Sequence, residues 1–131
     1  MFITKNLTQL AAAAVVLAAS ALAPSAAMAH GGAGPMHGGV VQIAADLSFE
    51  LVPTPDGAVI YIQDHGKDTD ASRFDGKLTV LNGAEKSEAP LKAAGGNKLE
   101  AKGVHLAKGA KAVATLSHSG KKSITVRFAI K

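Results

Sequence analysis

Two copies of His-Gly-Gly, at residues 30–32 and 37–39, lie seven residues apart, with Met36 directly before the second. In a chain without cysteine, imidazole is the strongest ligand for a soft or borderline cation. Thiolate sites, the His-Cys-Met type of blue copper and cysteine nucleophiles are thereby excluded. Nitrogen donors of this kind favour Cu(II), ahead of Ni(II) and Zn(II), and the Met36 thioether adds affinity for Cu(I). His30 has a second donor if it becomes the first residue of a processed chain. Its α-amine and imidazole then close one chelate ring, and both shed protons readily near neutral pH. His37 and Met36 are on the same glycine-rich segment and can be brought to the same ion.

A further candidate is "DHGKDTD", which sets His65 among Asp64, Asp68 and Asp70. An EF-hand calcium loop wants acids at alternate positions, glycine at the sixth and glutamate at the twelfth. Counted from Asp64, those last two positions hold Thr69 and Asp75, so the stretch reads as a solvated acidic loop. It remains able to lend His65 to a metal held by the N-terminal segment. His105 and His118 read as surface residues. The expected metal ligands are therefore His30, His37, Met36 and His65.

Signatures of catalysis are missing. There is no G-x-S-x-G elbow, H-E-x-x-H helix or phosphate-binding glycine loop. Glu50, Glu88 and Glu100 fall in separate strand-like segments, which gives no carboxylate pair, and the expectation is a protein that is not an enzyme. A formal charge of +4, one tyrosine and no tryptophan leave no basic stripe interleaved with aromatics, so nucleic acid is not an expected partner.

The elements that must position these residues begin after residue 29. Lys5, the apolar run "AAAAVVLAASALA" and the small-residue end "AMA" have the order of a secretory signal peptide cleaved after Ala29. The run is shorter than the roughly 20 residues of a membrane span. The expected product is periplasmic, starts at His30 and is not inserted in the membrane. Residues 30–38, rich in glycine, read as a flexible arm, and residues 39–131 as one domain.

In that domain short apolar segments alternate with turn chemistry. "GVVQIA", "LSFELV", "AVIYIQ", "KLTVLNG", "EKSEAPL", "KLEAKGVHLA", "KAVATLS" and "SITVRFAI" read as strands. Leu47, Phe49 and Leu51 share one face at period two, as do Ile124, Val126, Phe128 and Ile130. "PTPDG" and Asn82-Gly83 mark turns, and "DHGKDTDASRFDG" reads as a polar loop. Seven or eight strands without a helix predict an all-β fold, a single antiparallel β-sandwich of immunoglobulin-like type, with a small barrel as the other arrangement.

"MHGGVVQIAADLSFELV" followed by "GAVIYI" resembles the opening segment of periplasmic adaptor proteins of heavy-metal efflux systems of the resistance-nodulation-division type. The resemblance covers about residues 36–62, where a His-Gly-Gly precedes a strand, then a Phe-Glu-Leu strand, then one carrying Tyr. "GKLTVLNG" and "VRFAI" also resemble small exported proteins of unassigned role. His30 alone is similar to the N-terminal histidine of exported β-sandwich copper proteins. Nothing here matches an adaptor's helical hairpin and barrel domains. The resemblance thus implies a stand-alone binder of a divalent transition metal, copper first, in metal homeostasis or resistance. A heavy-metal efflux adaptor or another envelope protein is the implied partner. The competing expectation is a β-sandwich interaction module that docks on such a partner without physiological metal.

Overall fold

A computed structural model describes residues 34–131, and it is all-β. Nine antiparallel strands run β1 (Val40–Ala44), β2 (Leu47–Thr54), β3 (Gly57–Asp64), β4 (Lys67–Asp68), β5 (Phe74–Asn82), β6 (Glu85–Ala93), β7 (Lys98–Lys102), β8 (Lys111–His118) and β9 (Ile124–Ala129). They are hydrogen-bonded in the order β1-β2-β3-β7-β6-β5-β8-β9, with the two-residue β4 beside β3. β6 joins two groups of strands. Most of it pairs with β5, and only its last residues, Lys92 and Ala93, pair with Glu100 and Leu99 of β7. At the other side β1 and β9 lie next to each other without a ladder between them. The path therefore nearly closes on itself around one core.

Side-chain alternation fills that core. Phe49 and Leu51 of β2, Ile60 and Ile62 of β3, Leu78 and Val80 of β5, and Leu116 of β8 are fully buried. Leu47 and Ile124 are half-buried at its margin, Val126 and Phe128 complete the inward face of the last strand, and Ile130 is buried just beyond its end. Both faces anticipated from period two are the faces that pack.

The polar stretch after β3 carries more structure than its composition suggests. His65 and Gly66, both at positive φ, turn the chain into β4. Asp70 then caps a 3-10 turn at Ala71–Arg73 by accepting a hydrogen bond from the Ser72 amide at 2.9 Å. β5 starts at Phe74, inside the expected loop, and Gly76 belongs to its ladder. A side chain at Gly76 would strike the Thr115 carbonyl on β8. Conversely β7 ends at Lys102, where Gly103 takes a left-handed φ of 85°, and His105 lies in the following loop rather than in a strand. The Asn82-Gly83 signal does produce a hairpin, with Gly83-Ala84 at its tip. The Asn82 side chain holds that later loop, donating to the His105 carbonyl (2.8 Å) and accepting from the Ala107 amide (3.2 Å).

Candidate functional site

Along β2 the residues facing away from the core are Ser48, Glu50 and Val52. Across the ladders, Glu50 sits between Val41 of β1 and Tyr61 of β3. A carboxylate on the outer face of a sheet is ordinarily solvated, yet Glu50 is only 5% exposed and is the one buried charged residue among the described residues. The cover is the segment immediately before β1. Oε1 accepts from the Met36 amide (3.0 Å), and Oε2 accepts from the His37 and Gly39 amides (both 2.8 Å). His37 Nδ1 lies 3.0 Å from Oε1. Burial opposes ionisation of Glu50. The hydrogen bonds from Gly39, from the His37 ring and amide and from Met36 outweigh it, and the carboxyl is held below its ordinary range.

The second His-Gly-Gly is what lets the chain wrap this carboxylate. Gly38 adopts φ 75°, a left-handed conformation that costs any other L-residue energy. Gly39 lies so close to β2 that a Cβ there would collide with the Leu51 carbonyl oxygen and the Val52 side chain. The two glycines thus do different jobs: one turns the chain, the other permits contact.

His37 is fixed on a second side. Its ring stacks on Tyr61 with centroids 3.6 Å apart and planes 2° from parallel. The side chain remains 39% exposed, and no described residue hydrogen-bonds its other ring nitrogen, Nε2. Met36 is 64% exposed, and its sulfur accepts a contact from Gln63 Nε2 at 3.5 Å. Gln63 is held in turn by Asp68 Oδ1 at 3.0 Å. Met36, His37, Ser48, Glu50, Tyr61 and Gln63 line a recess of about 10 Å³, room for one water or one ion of that size.

Of the expected ligands, the structure brings Met36 and His37 to this recess. His30 lies outside the described residues, as do residues 31–33 of the expected arm. His65 is on the turn between β3 and β4, against the Asp64 carboxylate, and does not line the recess. His118 ends β8 and stacks on Phe74, centroids 4.2 Å apart, a packing role rather than that of a hairpin tip. Among the described residues no group of three or more His, Asp or Glu is placed to hold a metal. None of their helices is long and apolar enough to cross a membrane.

Glu50, Tyr61 and Gln63 are not among the ligands expected from sequence, where Glu50 reads only as a carboxylate without a pair. In "SFELV" Glu50 shares the outward face with Val52 and, across the ladders, with Val41 and Val59. That face also carries Ser48, Gln63 and, beside Val59, Glu100, so the sequence alone does not mark Glu50 as covered. Comparison with known proteins adds nothing to this geometry, because no family model, curated protein or solved structure matches the chain.

Proposed function

We propose that this is a periplasmic, non-catalytic protein that binds a divalent transition metal, copper first, and serves metal homeostasis or resistance. The observation that carries the reading is His37. Its ring is held on two sides, by Glu50 and by the face of Tyr61, Nε2 has no hydrogen-bond partner among the described residues, and His37 and Met36 both line the recess. Imidazole and thioether together suit copper in both of its common oxidation states. Two donors do not saturate an ion; in this reading His30, through its ring and the amine that cleavage after Ala29 would free, is the further ligand, and it lies outside the described residues. His65 is a peripheral ligand at most in this reading. A heavy-metal efflux adaptor or another envelope protein is the partner that would supply or receive the ion.

The finer architecture belongs to the same proposal: two layers of a sandwich, β1-β2-β3-β7 and β5-β6-β8-β9. What supports it is how little joins them, two residue pairs between β6 and β7 and no ladder between β1 and β9. The immunoglobulin-like type of that sandwich is part of the same proposal.

Calorimetry with Cu(II) and a competing chelator, on protein isolated from the periplasm with its own N-terminus, tests the binding. One ion per chain is expected, and His37→Ala should weaken binding at least tenfold, more than about 1.4 kcal/mol. Absence of binding in the wild type would hand the chain to the interaction-module reading.

A further inference from the structure

We propose that Glu50 is a positioning residue: it holds His37 as the Nδ1–H tautomer, directs Nε2 at the metal, and is not itself a ligand. The metal half of this rests on the function proposed above; the tautomer half stands without it.

An ionised carboxylate only accepts hydrogen bonds, at about four lone-pair sites on its two oxygens. All four are taken. Met36 N–H and His37 Nδ1 share Oε1, and the His37 and Gly39 amides share Oε2. No lone pair is left for a cation, although Glu50 lines the recess. Since the carboxylate cannot donate, the hydrogen between it and His37 belongs to Nδ1. A neutral imidazole carries one such hydrogen, so Nε2 presents a bare lone pair. The Tyr61 stack then fixes the plane in which that lone pair lies.

The carboxylate does a second thing. A hydrogen bond from Nδ1–H to an anion raises the electron density of the ring and strengthens Nε2 as a ligand. The fastening of the segment and the tuning of the ligand thus depend on the same two oxygen atoms. His37, Gly38 and Gly39 are needed as a unit: the ring, the left-handed residue and the residue without a side chain all converge on Glu50.

Long-range 1H–15N spectra of the histidine rings, recorded on metal-free protein near pH 8, above the imidazole range, read the tautomer directly. In the wild type His37 should show a protonated Nδ1 and a bare Nε2. In Glu50→Gln the one remaining oxygen satisfies two backbone amides at the Oε2 position and only one at the Oε1 position. The NH2 is therefore expected to take the Oε1 position and donate to Nδ1, and the ring proton should move to Nε2. The same variant should lose about 10–100-fold in Cu(II) affinity, with the core amide spectrum unchanged. A wild-type His37 protonated at Nε2 overturns the proposal without any variant, which guards against a Glu50→Gln protein that fails to fold. An unchanged tautomer and affinity in a folded Glu50→Gln protein overturns it too. Wild-type protein that shows the expected tautomer but binds no Cu(II) overturns the metal reading alone, and Glu50 keeps its positioning role on the ring.

Discussion

Glu50 shows how much one outward side chain can organise. Its three backbone partners are not in a strand ladder, so their order depends on its charge. Because its folded pKa is lowered, the stabilisation it provides is complete above the ordinary glutamate value of 4.5. It is lost as pH falls through the lower folded value. Acid titration below pH 4.5 should therefore move the Met36, His37 and Gly39 amide shifts together, ahead of the core amides. A substitution tests the same contact without protons. Gly39→Ala puts a methyl group into the Leu51 carbonyl and should detach the segment at a cost of roughly 1–3 kcal/mol. Loss of the His37–Tyr61 contact in its spectrum is the readout, and a Gly39→Ala protein with native shifts for Met36 and His37 would refute the close packing described here.

Strands with strict alternation were legible in the sequence, because a one-residue slip would expose Phe49 and Leu51 or Val126 and Phe128 to water. Phe128, at 3% exposure, is expected to cost about 3–5 kcal/mol when cut to Ala, read as a lower urea midpoint at unchanged slope. What escaped were features fixed by partners far along the chain. The start of β5 is set by pairing of Phe74 and Asp75 with His118 and Ser117, which no local pattern in "DASRFDG" announces. Asn82 looked like a turn residue and also serves as a clamp on the loop around His105. The site was half legible for the same reason. Met36 and His37 stand out by type, but Glu50, Tyr61 and Gln63 meet them at one recess only when β1, β2 and β3 lie side by side.

At the scale of the whole molecule, the near-closed path of strands supplies a rigid wall, and the glycine-rich segment is fastened across it. That arrangement separates core stability from binding. The core is distributed over both groups of strands, whereas the recess uses only the outer face of β1–β3 and the chain leading into β1. Removing the Met36 side chain should therefore change metal affinity while leaving the unfolding midpoint almost where it was, whereas His37→Ala also deprives the buried Glu50 of a hydrogen bond and should lower the midpoint.

The central claim, metal held at His37 through Nε2, is open to one direct measurement. Zn(II), which is diamagnetic, can be titrated into isotope-labelled protein carrying its own N-terminus, with the histidine ring nitrogens followed one by one. The account predicts that a single equivalent shifts His37 Nε2 strongly, with Met36 and Tyr61 responding and His105 and His118 unmoved. Saturation with His37 Nε2 unshifted would contradict it.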